Sequence, residues 1–412
     1  MTMKTIACLR AALLATGVLA QTPSSHLTQA EAEAAVKAVL PALQRIRGIT
    51  FKDDVPVTVI DDARARAYAL ARFRKMTPDA KIRADETVYR LLGLVPKDLD
   101  VLKSLLDVLE EQAGGFYDPT TKSFYLLDDM PKDMTPLLAA HEMTHALEDQ
   151  RYDIDARLAK VADDDDATFA LSALAEGSAS AAAAVYVADA VTAGKLDPKR
   201  VAAMGDAVKV DRLNAMTPSL RRMLIGPYVL GMTFLTRGRV DGLQGGYPAR
   251  DVDAAWAHPP RSSEQILHPE KYWDPARRDE PIRVVVADPS RVLGDGWERV
   301  GSGVLGELTL GGLVGAATPD AADLAAGVTS WTNRAATGWG GDRYELWSNG
   351  DDAVVLVATV WDRVRDAGEF AEALASRSPE FAFRRVRDRV AIVAGAAGDR
   401  RSALLSILLR EP

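Results

Sequence analysis

The sequence predicts an α+β protein that is mainly α. Two observations carry this. Before about residue 275, apolar residues recur at three- and four-residue spacing, as in Leu99, Leu102, Leu105, Leu106 and Leu109, which is the signature of helices that bury one face. Beyond Glu280, short β-branched runs alternate with helical stretches, the texture of a mixed sheet with covering helices.

The elements follow in order. The stretch from Leu27 to Gln112 is mostly helical, interrupted by one strand at Val55 to Ile60, after which Asp61 opens a long Ala/Arg-rich helix. Gly114-Gly115 ends the helical stretch; Phe116-Tyr117, the turn residues Asp118-Pro119-Thr120-Thr121, and Lys122 to Leu127 predict a β-hairpin. Thr135-Pro136 reads as an N-cap followed by proline at the first helical position, so one helix should run from Pro136 to about Asp153. The acidic run Asp163 to Asp166 precedes an Ala-rich helix from about Ala167 to Ala190 and favours its positive end; it lacks the interleaved spacing of a calcium loop. Further helices cover Pro198 to Arg237. A short one starts at Ser262, with an S-x-x-Q capping box to Gln265, and stops at Pro269. The later strands are Ile282 to Val286, Arg343 to Trp347, Val354 to Val360 and Arg389 to Val393, alternating with helices at Leu305 to Val314, Ala367 to Ser376 and Arg400 to Leu409.

At 412 residues the chain is too long for one core of ordinary size. We divide it into an export signal at 1–20, a first domain at 21–275 and a C-terminal α+β domain at 282–412, joined by the Pro- and charge-rich stretch Trp273 to Pro281. Lys4 and Arg10, the apolar run Ala11 to Leu19 and the small residues ending at Ala20 have the form of a secretory signal. The expected location is therefore secreted or periplasmic. The apolar run is too short to span a bilayer comfortably, so no stable membrane span is expected in the mature chain. Its sole cysteine, Cys8, lies inside that signal, which excludes disulfides and cysteine-ligated zinc from the mature protein. A net charge of −8 argues against a surface that tracks nucleic-acid phosphates.

The chemistry centres on His141-Glu142-Met143-Thr144-His145. Two histidines four residues apart project from one helix face and can hold the same ion, while the intervening Glu142 can serve as general base on a zinc-activated water. With only five histidines in the chain, this pattern would arise by chance in roughly 0.4% of such sequences. A catalytic zinc takes three protein ligands and leaves a fourth position open. Glu176 is the candidate third ligand: it stands alone among small residues in Ala173-Leu174-Ala175-Glu176-Gly177-Ser178-Ala179-Ser180, where a second helix can approach closely.

The pair H-E-M-T-H and A-E-G-S-A-S resembles the gluzincin group of zincin metallopeptidases, which includes thermolysin-like and neprilysin-like enzymes. The resemblance covers roughly Gly114 to Ser180. It implies a zincin-like metallohydrolase unit in residues 21–275, Zn2+ as cofactor, a peptide or protein substrate and Glu176 as the zinc-ligating glutamate. It also implies a cleft-lining strand before the helix, matched here by Phe124 to Leu127 and suited to strand addition. Many such enzymes carry an acid four residues after that glutamate, where this chain has Ser180, so Glu148 or Asp149 would have to orient a zinc histidine instead. The stretches G-F-Y-D-P-T-T-K, H-A-L-E-D-Q-R-Y-D, P-P-R-S-S-E-Q-I-L-H-P-E-K-Y and G-W-G-G-D-R-Y further resemble a group of exported bacterial proteins that share the zinc motif and carry no assigned substrate.

Peptide hydrolysis passes through an oxyanion that needs a donor. His268, sharing a helix face with Glu264, is the first candidate and Tyr228 the second. Gly338 to Tyr344 reads as a structural turn with an Asp342–Arg343 network. The reading is thus a zinc metallopeptidase. The alternative is a cell-envelope binding or scaffold protein that keeps the metal without turnover, and Glu142 discriminates between them, since a structural site has no need of a base.

Overall fold

The computed structural model describes residues 26–76, 79–112, 114–199, 201, 211–239, 241–320, 331–377 and 381–410. The expected signal at 1–20 lies outside them, as does 202–210 within the stretch expected to be helical from Pro198 to Arg237. The protein is α+β and mainly α.

The first helix, α1 (Gln29–Arg47), starts at a reciprocal cap: Glu31 N donates to Thr28 Oγ1 at 3.3 Å and Thr28 N to Glu31 Oε2 at 3.0 Å. It stops at Gly48, whose φ of 74° suits glycine. Next come β1 (Val57–Ile60), α2 (Asp62–Met76), α3 (Asp79–Leu91), α4 (Val101–Gln112), and the hairpin β2 (Gly115–Asp118) and β3 (Ser123–Leu127). The sheet order is β1-β3-β2, with β1 parallel and β2 antiparallel to β3. β3 is therefore central. The expectation that Phe124 to Leu127 receives an extended substrate is corrected here, because its backbone is already paired on both sides. The outer side of β1 is closed by Gln29, which accepts from Val59 N at 2.9 Å and donates to Val57 O at 2.7 Å, leaving β2 as the edge.

Behind the hairpin lie α5 (Thr135–Tyr152), α6 (Ile154–Lys160), α7 (Asp165–Thr192), α8 (Asp211–Ala215), α9 (Pro218–Thr236), α10 (Ala249–Ala257), α11 (Ser263–Leu267) and α12 (Glu270–Trp273). α5 begins one residue earlier than the sequence predicts. Thr135 is helical, and its hydroxyl donates to Pro131 O at 3.3 Å instead of capping. α7 is capped by Asp164, which accepts from Ala167 N at 2.9 Å. Among the described residues α7 alone is long and apolar enough to cross a membrane, and 67% of its apolar window is buried within the protein.

α7 and α9 meet backbone to backbone. A Cβ at Gly231 would stand 1.9 Å from Ala173 O, and one at Gly177 would stand 2.2 Å from the Gly231 carbonyl carbon. Gly231→Ala is thus expected to force the helices apart and lower stability by about 1–3 kcal/mol. Urea unfolding should show a lower midpoint with an unchanged slope; an unchanged midpoint would contradict the close approach.

The second half comprises α13 (Ser290–Leu293), β4 (Glu298–Gly303), α14 (Gly306–Leu313), β5 (Trp339–Asn349), β6 (Asp352–Trp361), α15 (Val364–Ala375), β7 (Phe381–Val386), β8 (Arg389–Gly395) and α16 (Arg401–Leu408). Its antiparallel sheet has the order β4-β5-β6-β8-β7. Alternation sends Val355 and Val357 into the main core with α7 and α9, and Val354, Leu356, Ala358 and Val360 into a smaller core with Leu404, Leu405 and Leu408 of α16. The main core therefore runs without a break from the helical half onto this sheet. Ile282 to Val286 is not a strand, contrary to expectation. Ile282 N donates to Gly340 O at 2.7 Å, but the run joins no ladder and lies as a strap on the smaller core through Val284, with Ile282 and Val285 half exposed. The turn expected at Gly338 to Tyr344 is instead the start of β5, which is irregular between Trp339 and Gly341 as it pairs with β6; there Asp342 accepts from Leu305 N (2.8 Å), Gly306 N (2.9 Å) and Trp339 Nε1 (2.9 Å), while Arg343 donates to Ser302. The expected Asp342–Arg343 network is replaced by these separate ties.

Candidate metal centre

α5 is buried on nearly every side from Leu138 to Asp149, wedged between α1, the hairpin and α7. Its helical spacing puts His141 and His145 one turn apart on the face toward α7. Their Nε2 atoms lie 3.2 Å from each other. From α7, Glu176 Oε2 reaches His141 Nε2 at 3.2 Å and His145 Nε2 at 3.3 Å. Three donors at the corners of such a triangle fit one ion: tetrahedral zinc with bonds of about 2.0–2.1 Å separates its ligand atoms by about 3.3 Å. The chemistry of the set fits as well, two imidazoles and one carboxylate being the number and kind of protein ligands a catalytic zinc takes. The structure thus brings together all three residues assigned as ligands from the sequence.

The charges are arranged accordingly. Burial works to lift the Glu176 carboxyl, but the neighbouring His145 and the hydrogen bonds from both imidazoles hold it down at about 2. Burial would lower both histidines. It does lower His141, whereas Glu176 overcomes it at His145 and raises that imidazole to about 9. At neutral pH a protonated His145 thus balances the Glu176 carboxylate, and a divalent cation bound between the three groups would displace that proton.

Glu142 is 1% exposed and accepts a hydrogen bond at Oε2 from Tyr117 N of β2 at 2.8 Å. Burial pushes its carboxyl up to about 8, against His145 and the Tyr117 N–H, which both favour the ionised form. Tyr228 of α9 stacks on His141, with ring centroids 5.9 Å apart and planes at 23°, and the Gly177–Gly231 contact is what brings α9 that close. His268 is elsewhere. It follows α11, with Nε2 3.0 Å from Glu307 Oε1 of α14. Glu264, expected to orient it, is instead 2.5 Å from Lys271. His268 is therefore corrected from an oxyanion donor to a group at the junction of the helical half and the second sheet. A second acidic cluster, Glu264, Asp279 and Asp362, is not a cation site, because Lys271 Nζ lies within 2.5–2.9 Å of all three carboxylates.

Neither Glu148 nor Asp149 has a hydrogen bond to an imidazole in the structure. Asp149 accepts from Tyr117 OH (2.8 Å), Lys122 Nζ (2.7 Å) and Ile154 N (3.0 Å). Glu148 accepts from four side chains that sequence reading did not single out, Arg47, Ser178, Tyr247 and Trp256. Three come from distant segments, so no local pattern announces them. Ser178 stood inside the quoted A-E-G-S-A-S motif, and its place two residues past Glu176 was the available signal.

Residues 291–403 match a family described as Domain of unknown function (DUF8575). The match covers about a quarter of the chain and includes none of the four residues at the centre. No curated protein and no solved structure matches the chain.

Proposed function

We propose that this protein is an exported, zinc-dependent hydrolase of peptide bonds, resembling the gluzincins. The observation that carries the reading is the convergence of His141, His145 and Glu176 donors within 3.2–3.3 Å of one another, with Glu142 on the next helical position. When bound, zinc supplies Lewis acidity, lowering the pKa of water from about 15.7 toward 7 and polarising the scissile carbonyl. The rest is done by the chain. His141, His145 and Glu176 hold the ion, and the Tyr117 N–H fixes the Glu142 carboxylate beside it. Glu142, which the positive charge of a bound ion would return to its carboxylate form, takes one proton from the attacking water as the water oxygen bonds to the carbonyl carbon. It then passes that proton to the departing amine nitrogen as the C–N bond breaks. Tyr228, lying against His141, is the side chain we assign to the oxyanion. β2, whose Tyr117 already faces Glu142, is the edge on which an extended peptide or protein substrate would lie.

Elemental analysis of purified protein tests the centre. Wild type is expected to hold about one zinc per chain, and Glu176→Ala well under half of that, having lost one of three ligands. Zinc-supplemented wild type that carries none, or Glu176→Ala that carries as much as wild type, would overturn the proposal.

A further inference from the structure

We infer that Glu148 is a positioning residue for the metal centre, holding α5 and α7 at the spacing the cation requires; this rests on the centre proposed above. Glu148 lies one turn beyond His145 and is completely buried. Its Oε1 accepts from Arg47 Nε at 2.6 Å, Ser178 Oγ at 2.5 Å and Tyr247 OH at 3.3 Å, and its Oε2 from Trp256 Nε1 at 3.1 Å. A carboxylate has about four acceptor sites, so this one is saturated.

What matters is where the donors come from. Ser178 follows Glu176 by two residues on α7, so a single carboxylate ties α5 just past its second histidine to α7 just past its glutamate. The surrounding α7 sequence, Ala173-Leu174-Ala175-Glu176-Gly177-Ser178-Ala179-Ser180, has little side-chain relief to lock one helix against the other. Alanine and glycine surfaces slide; a short charge-assisted hydrogen bond does not. Metal–ligand distances tolerate only about ±0.2 Å, so a small slip between these helices would open the donor triangle. Residue 180 is serine, so α7 offers no acid of its own four residues after Glu176. Arg47, entering from the end of α1, pairs with Glu148 at 2.6 Å and anchors the tie.

The experiment measures zinc dissociation constants by competition with a chromophoric chelator, using the full chain as wild type, Ser178→Ala and Tyr247→Phe. Ser178→Ala removes the direct 2.5 Å tie from α7 to the carboxylate, whereas Tyr247→Phe removes only the longer 3.3 Å contact and the hydroxyl that lies 2.5 Å from Ser178, leaving the tie itself in place. Ser178→Ala is expected to weaken zinc binding about tenfold and to alter the visible spectrum of the cobalt-substituted protein, while Tyr247→Phe stays within about twofold of wild type. Unchanged affinity and spectrum in Ser178→Ala, or an equal loss in both variants, would overturn the positioning role. Wild type without zinc would instead overturn the centre itself, so the two failures are distinguishable.

Discussion

Glu142→Gln is expected to keep its zinc and to lose peptide hydrolysis by about 100- to 10,000-fold in kcat, the contribution of a well-placed general base. The substitution is close to isosteric, and the amide oxygen can still accept the Tyr117 N–H now bound at 2.8 Å. No buried charge is left unpaired by it. Burial already pushes the Glu142 carboxyl up to about 8, so a neutral amide suits the position and the fold should be no less stable. None of the three metal donors is altered. The measurement is kcat on a peptide substrate at saturating zinc, alongside zinc per chain. Metal retained with turnover gone assigns the proton transfer to Glu142. Turnover at the wild-type rate would show that Glu142 is not the base, and turnover in neither protein would favour a centre that holds zinc without catalysis.

The centre was legible in sequence because its spacing is dictated locally: an i, i+4 histidine pair must share a helix face wherever the helix goes. Glu176 was legible for a different reason, as a lone carboxylate in an apolar, small-residue helix. The central strands β6 and β8 also announced themselves, since burial on both faces favours β-branched runs, whereas β5 has none and its glycine-rich start reads as a turn. The edge strands β4 and β7 did not. Their sequences, E-R-V-G-S-G and F-A-F-R-R-V, carry the charge and glycine that an edge tolerates and a pattern search discounts. Ile282 to Val286 erred in the opposite direction, because its β-branched run packs along the sheet as a strap without joining the ladder. His268 failed because a shared helix face with Glu264 says nothing of the nearer partners that tertiary packing brings: Lys271 took Glu264, and Glu307 took His268. The Arg47–Glu148 pair was illegible for the same reason, being set by partners 101 residues apart.

That pair carries the largest expected effect on stability. Arg47→Met should cost about 3–5 kcal/mol, the penalty for stripping one partner from a buried ion pair. Both side chains are 0% exposed and their Nε–Oε1 distance is 2.6 Å. Removing the guanidinium strands the Glu148 carboxylate with three neutral donors and no compensating charge. Asp253, which also pairs with Arg47 at 2.8 Å, is half exposed and regains water, so its loss adds little. Against a total stability of about 5–15 kcal/mol, the variant should unfold at a markedly lower urea concentration. The double variant Arg47→Met/Glu148→Gln separates charge from packing. Its neutral amide still accepts from Ser178 or Tyr247, so a substantial part of the lost stability should return if the stranded charge is the cause. If the double variant is as unstable as Arg47→Met, the loss comes instead from the cavity and broken packing at the end of α1.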